Sequence, residues 1–130
     1  MTEFSFTVLG DPISKGRPRV VHGGQGFTPK RTRDAEALVR NTFKREYPDS
    51  DPITGPVRIL VHCYMATRRN KDLDNMVKLV TDALNRVAYV DDGQITVIDA
   101  RKIEPTPGNP KETPRTEVLI ESLPTKGVGE

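Results

Sequence analysis

The sequence predicts an α+β (α/β) domain. It would hold one mixed β-sheet of about four strands and two main helices, in the order β-α-β-α-β-β. Three observations carry this. Four short runs alternate apolar and polar residues with the period of a strand. Two longer runs carry one apolar stripe each at helical spacing. A helix with a single stripe has one face to bury, so both helices are expected to pack on a sheet.

The elements follow in order. In "EFSFTVL", residues 3–9, Phe4, Phe6 and Val8 alternate with polar neighbours, as in a half-buried strand. "GDPISKGRPR" then breaks the strand with Gly10, Pro12, Gly16 and Pro18. The glycines of "VHGGQG" imply a tight turn between Val20-Val21 and Phe27. A helix is predicted from about Thr32, as N-cap, to Tyr47, where Pro48 stops it; Ala35, Leu38, Val39 and Phe43 form its stripe. "PVRILVHCYM", residues 56–65, reads as a more central strand because both its faces are partly apolar. Residues 73–87 read as the second helix, with Leu73, Met76, Val77, Val80, Ala83, Leu84 and Val87 on one face. "DDGQ" turns the chain into a third main strand, "ITVIDARKIE", with Ile95, Val97 and Asp99 on one side. "PTPGNPKETP" is a loop, "RTEVLIESL" is the last strand, and "PTKGVGE" is a frayed tail. The expected layout is one domain over residues 1–121 and a flexible tail over 122–130.

At 130 residues the chain fits one domain with a modest core. The net charge of +2 decides little, but its distribution is uneven. Between Ser14 and Arg33 lie Lys15, Arg17, Arg19, Lys30, Arg31 and Arg33 and no acid; Arg68, Arg69 and Lys71 follow later. Of these, Lys15, Arg17, Arg19, Lys30, Arg31, Arg33, Arg68 and Arg69 are candidate phosphate contacts, or else a solvated basic surface. Cys63 is the single cysteine, so an intramolecular disulfide and a cysteine zinc site are excluded; it reads as a small core residue. The first residues do not form a signal peptide, and no apolar run approaches the roughly 20 residues of a membrane span. The expectation is a soluble, cytoplasmic protein with no membrane partner.

Acids concentrate where they should repel one another. "KDLDNMVKLVTDALNRVAYVDDGQI" carries Asp72, Asp74, Asp82, Asp91 and Asp92 inside an otherwise apolar pattern. One Asp at the start of a helix is accounted for by capping. Capping leaves the other and the Asp91-Asp92 pair unexplained. A shared Mg²⁺, with Mn²⁺ as an alternative, would relieve the repulsion, since hard oxygen donors suit those ions. Lys78 lies four residues after Asp74, on the same helical face. It is either a surface salt bridge or a cation beside the metal, placed for a phosphate oxygen. A straight helix over 73–87 spans about 22 Å, so the acids meet only if the chain after it crosses back. Acids, lysine and nearby arginines together suit metal-assisted phosphodiester hydrolysis.

"RRNKDLDNMVKLVTDALN" followed by "VDDGQI" closely resembles the signature of the RusA family of Holliday junction resolvases. The pattern D-x-D-N, a lysine, D-A-L, then D-D-x-Q-I is present at matching spacing, and "GDPISKGRPRV" and "FTPKRT" extend the likeness to about residues 4–121. The resemblance implies a mixed α/β homodimer that cuts four-way DNA junctions symmetrically. It implies that Asp72, Asp74 and Asp92 are catalytic carboxylates binding Mg²⁺, with Asp91 the adjacent acid, and that Lys78 is the essential lysine. Asn75, Asp82 and Gln94 fall at motif positions with supporting roles. His22 and His62 are read as incidental. Two rivals fit less well. A non-catalytic junction- or DNA-binding protein gains nothing from acids facing phosphate. A two-carboxylate glycosidase would lack a stacking platform, since the chain has no Trp and three Tyr.

Overall fold

The computed structural model describes residues 2–15, 29–68, 71–108 and 113–125, together with the backbone of 19–20 and 26–27. The elements are β1 (Glu3–Leu9), β2 (Arg19–Val20), β3 (Gly26–Phe27), α1 (Lys30–Glu46), β4 (Val57–Tyr64), α2 (Leu73–Ala83), β5 (Ile95–Ile103) and β6 (Arg115–Ser122). Four strands form one mixed sheet in the order β1-β6-β4-β5. β6 runs antiparallel to both its neighbours, and β4 pairs parallel with β5. The predicted order of main elements is therefore the observed one. β2 and β3 pair antiparallel as a small ribbon outside the main sheet, and the turn expected at the "VHGGQG" glycines lies outside the described residues.

Burial follows the two-residue period of the strands. Phe4, Phe6 and Val8 of β1, Val57, Ile59, Val61 and Cys63 of β4, and Thr116, Val118 and Ile120 of β6 are buried on one face. The register aligns them: Phe6 and Val61 both stand opposite Val118. Both helices cover this face. Phe43 of α1 meets Phe4 and Phe6 edge-on, with centroids 5.0 and 5.6 Å away. Met76, Leu79, Val80 and Ala83 of α2 enter the same core cluster. The other face carries an ion-pair network: Arg58 meets Glu121 at 2.7 Å and Asp99 at 3.4 Å, and Asp99 lies 3.4 Å from His62. His62 is thus a partnered residue on the face away from the helices. Among the described residues, no helix is long and apolar enough to cross a membrane.

Several expectations need correction. α1 begins at Lys30 after Pro29, which holds φ −57° and ψ 146° at the N-cap position. Proline's fixed φ suits the mouth of a helix, so Thr32 lies inside the helix and is buried rather than capping it. The third main strand was expected to show Ile95, Val97 and Asp99 on one side. Pairing slips between Val57 and Arg58, so that Val57 faces Ile95 but Arg58 faces Val97. The extra residue flips the alternation. Ile95, Ile98 and Ala100 border a cavity against α2, while Asp99 joins Arg58 on the opposite face. Bonding also continues past residue 121, with Ser122 N–H donating to Thr2 O and Leu123 N–H to Pro56 O. Residues 126–130 of the expected tail lie outside the described residues.

The correction that matters most is the end of α2. It stops at Ala83, not at residue 87. Leu84 O accepts from both Val87 and Ala88 N–H, and Arg86 takes a left-handed φ of 65°. Leu84, Ala88 and Tyr89 are fully buried, so packing of the turn outweighs another helical turn. Tyr89 Oη donates to Thr81 O at 2.6 Å. That carbonyl belongs to the last turn of the helix, where orphan acceptors need a partner. Ile53 N–H donates to Ala88 O and fastens the returning chain to the loop before β4. Removing the capping hydroxyl in Tyr89→Phe is expected to cost roughly 1 to 2 kcal/mol. Urea unfolding with an unchanged m-value checks this.

Candidate active site

The chain that returns from Tyr89 runs directly into the acid pair. Asp91 N-caps a single 3₁₀ turn over Asp92–Gln94. Its carboxylate accepts from Gly93 N–H at 2.8 Å, and its own N–H donates to Gln94 Oε1 at 2.8 Å. Gln94 Nε2 donates to Ile53 O at 2.8 Å and Gly55 O at 2.7 Å. The turn is therefore latched at both ends. A Cβ at position 93 would lie 2.7 Å from Asp91 Oδ2, so a side chain there would push that carboxylate off its cap. Asp91 spends its carboxylate on the turn, and Asp92 is left to face α2.

Lys78, in the middle of α2, meets that acid: its Nζ lies 3.7 Å from Asp92 Oδ2 and 3.0 Å from Asp82 Oδ1. Asp74, Lys78 and Asp92 line one open cavity of about 370 Å³. Val77, Thr81, Ile95, Ile98 and Ala100 complete its walls. The early end of α2 makes this convergence possible. Asp92 comes back opposite Lys78, which is one helical turn, about 6 Å, along the axis from Asp74.

The acids at the helix entry are not consumed by capping. Asp72 occupies the N-cap position of α2 but makes no side-chain capping bond; Asn75 Nδ2 lies 3.4 Å from its Oδ2. Both Asp72 and Asp74 are exposed. Asp72 is not among the residues lining the cavity. Among the described residues, no three acidic, histidine or cysteine side chains form a ready metal cage. The donor set fits Mg²⁺ nonetheless. That ion keeps several waters and is held by one or two carboxylates plus substrate phosphate oxygens, and Asp74 and Asp92 offer such carboxylates in one cavity.

Asp82 lies behind this front. It is only 17% exposed and receives two cations, Lys78 and Lys15. Burial works against its ionisation, but the hydrogen bonds from Lys15 and Lys78 prevail, and its carboxyl titrates below the ordinary carboxylate range. The bond to Asp82 in turn raises Lys78 and Lys15 above the usual lysine range. Lys78 is thus a firmly protonated ammonium facing the cavity.

The predicted DNA-contacting residues do not behave alike. Lys15 is 24% exposed and engaged by Asp82 and by Glu36 at 3.4 Å, and its N–H donates to Asn75 O. Lys30 pairs with Asp34 at 2.8 Å. Arg31, Arg33 and Arg68 are exposed. Arg17, Arg69 and His22 lie outside the described residues, and for Arg19 the backbone places it in β2. Sequence reasoning missed Glu36, Tyr89 and the ion-paired role of Lys15. No sequence signal pointed to the last, since spacing relates Asp82 only to Lys78, four residues before it.

Comparison with known proteins gives a consistent picture. The family model described as endodeoxyribonuclease RusA matches residues 10–121. The chain is 31% identical over 145 residues to the uncharacterized protein YqaN of Bacillus subtilis (strain 168), covering 91% of this chain and 95% of that protein. It is 29% identical over 126 residues to the crossover junction endodeoxyribonuclease RusA of Shigella sonnei (strain Ss046), covering 91% and 98%. Against the protein of that name from Escherichia coli (strain K12), identity is 38% over 64 residues, 48% of this chain and 53% of the relative. With most of its length matched and Asp74, Lys78 and Asp92 lining one cavity, this chain belongs to the RusA family of endodeoxyribonucleases.

Proposed function

We propose that the protein is a Mg²⁺-dependent, structure-selective endonuclease that resolves four-way (Holliday) DNA junctions by paired symmetric phosphodiester hydrolysis, in DNA recombination and repair. Relatives named as crossover junction endodeoxyribonucleases support the substrate class. One observation carries the site: Asp74, Lys78 and Asp92 line the same cavity although the two acids come from different elements. In this reading Asp74 and Asp92 hold the ion, with Asp72 as a further carboxylate. Asp92 rather than Asp91 is the ligand of the pair, because Asp91 is committed to Gly93. Mn²⁺ would serve in place of Mg²⁺.

The bound ion supplies Lewis-acid polarisation of the scissile phosphate. The chain's own groups do the rest. The Lys78 ammonium offsets charge on a phosphate oxygen, and it brings its proton to that place without having to acquire one. The carboxylates keep DNA out of the cavity unless a cation accompanies it. Arg31, Arg33 and Arg68 contact the DNA backbone, and Arg17, Arg19 and Arg69 belong to the same expected set of phosphate contacts. The protein acts as a homodimer in the cytoplasm of a bacterial or phage-infected cell. A junction of approximate two-fold symmetry needs two cuts, and a two-fold dimer offers two identical sites.

A labelled four-way junction tests this. Wild-type protein is expected to nick two strands of like polarity in Mg²⁺ and to stop when the ion is chelated. Asp74→Asn and Asp92→Asn are expected to lose cleavage by a factor of about 100 or more while still binding the junction; full cleavage by either variant contradicts the site. Replacing Arg31 and Arg33 by Gln should reduce the slope of log binding against log salt by about 0.9 for each phosphate that is no longer neutralised, read by a binding titration at several salt concentrations. The ion pairs also set a pH window. Asp82 is lowered from 3.8, so its contribution is full above that value and is lost as pH falls through the depressed pKa. Lys78 is raised from 10.5, so its contribution is full below that value and is lost as pH climbs through the raised one. The stability difference between wild type and Asp82→Asn should therefore stay flat across neutral pH and shrink only below pH 3.8 or above pH 10.5, as chemical denaturation at stepped pH will measure.

A further inference from the structure

Lys15 sits among the basic residues that precede α1, yet its ammonium is turned inward. It meets Asp82 Oδ2, while Lys78 takes the other oxygen, Oδ1, of the same carboxylate. Glu36 of α1 is its second partner, and its backbone N–H is tied to Asn75 O at the start of α2. Asp82 is therefore shared between two lysines, one 24% exposed and one 56% exposed. The more exposed one, Lys78, also reaches Asp92 at 3.7 Å, a looser pair than its 3.0 Å approach to Asp82. The balance between those two pairings sets where the Lys78 ammonium stands over the cavity.

We propose that Lys15 is a positioning residue for the reaction, acting through Asp82 on Lys78, and does not bind DNA. With Lys15 occupying Oδ2, only Oδ1 is left to hold Lys78, and the ammonium stays within reach of Asp92 and the cavity. Without Lys15, a partly buried carboxylate keeps one oxygen unpaired. Such a group draws a replacement partner from the nearest mobile cation, and that cation is Lys78. The ammonium then withdraws onto Asp82 and away from the reacting phosphate. The strut also joins three segments: the loop after β1, the start of α1 through Glu36, and α2 through Asp82 and Asn75.

This inference rests on the reading of Lys78 and its cavity as the site of phosphodiester cleavage, so the test has one arm that does not depend on cleavage. The variants are Lys15→Met, which keeps the apolar stem, Asp82→Asn, and the double variant. Single-turnover cleavage of a four-way junction at saturating protein should fall about tenfold or more in Lys15→Met, as expected for a misplaced catalytic group, with junction affinity and its salt slope unchanged. Asp82→Asn leaves no surplus charge for Lys15 to neutralise. Adding Lys15→Met to that background should therefore change the rate less than about threefold, a non-additive result. Side-chain NMR of the Lys78 ammonium reports its ion pairs whether or not DNA is cut. Its signal should move in Lys15→Met and should not move when Lys15→Met is added to Asp82→Asn. Additive rate losses, or an unmoved Lys78 signal in Lys15→Met, would overturn the proposal. A salt slope reduced by about 0.9 in Lys15→Met would also overturn it, by showing that Lys15 neutralises a phosphate. Wild-type protein that fails to cut the junction would refute the reading of the site, while the NMR arm would still decide the role of Lys15.

Discussion

Gln94 is hydrogen-bonded in three directions at once, to the N–H of Asp91 and to the carbonyls of Ile53 and Gly55. The rest of the site depends on that latch. It fixes a turn of three residues against the loop before β4, and the turn delivers Asp92 to the side of α2. Tyr89 performs the matching task one step earlier, closing the end of the helix and burying its ring under the returning chain. The site is thus built by a reversal of the chain that the side chains of Tyr89 and Gln94 fasten to backbone, with a backbone tie from Ile53 N–H to Ala88 O between them.

The concentration of acids has a physical account in this arrangement. Asp91 is absorbed by the turn and Asp82 by two lysines. Asp72 and Asp74 are exposed at a helix entry where neither side chain caps the backbone. Among the described residues, the Asp92 carboxylate pairs with Lys78 at a loose 3.7 Å. What remains uncompensated is a small set of carboxylates beside one cavity and one ammonium. On that arrangement rests the proposal that the site takes a hard cation and, through it, a phosphate.

Much of the scaffold was legible in the sequence, because burial on one sheet face imposes strict alternation. β1 was readable to the residue, and β4 and β6 nearly so, since Val57, Ile59, Val61 and Cys63 and their counterparts across the sheet never break step. The third main strand failed this test for a specific reason. Its pairing slips beside Val57, and a bulge leaves no mark on composition. The end of α2 was missed because Val87 continues the apolar stripe, whereas the chain turns at Leu84 under packing from Ala88 and Tyr89. That error hid the route by which Asp92 reaches Lys78. Lys15 was grouped with phosphate-binding residues because charge along a sequence does not say which way a side chain points. Only the fold brings Asp82 and Glu36 to it. The acids and the lysine were identified by type and spacing, and their meeting is a tertiary event.

The central claim is that the helix entry and the latched turn form one ion-binding site. Titration with Mn²⁺ while watching backbone amide signals measures this directly, since the paramagnetic ion broadens nuclei near where it binds. Amides of residues 72–78 and 91–94 should broaden together, at the lowest ion concentrations, and recover when excess Mg²⁺ is added. Broadening confined to one of the two segments, or appearing first at acids elsewhere such as Asp49 and Asp51, would contradict the account.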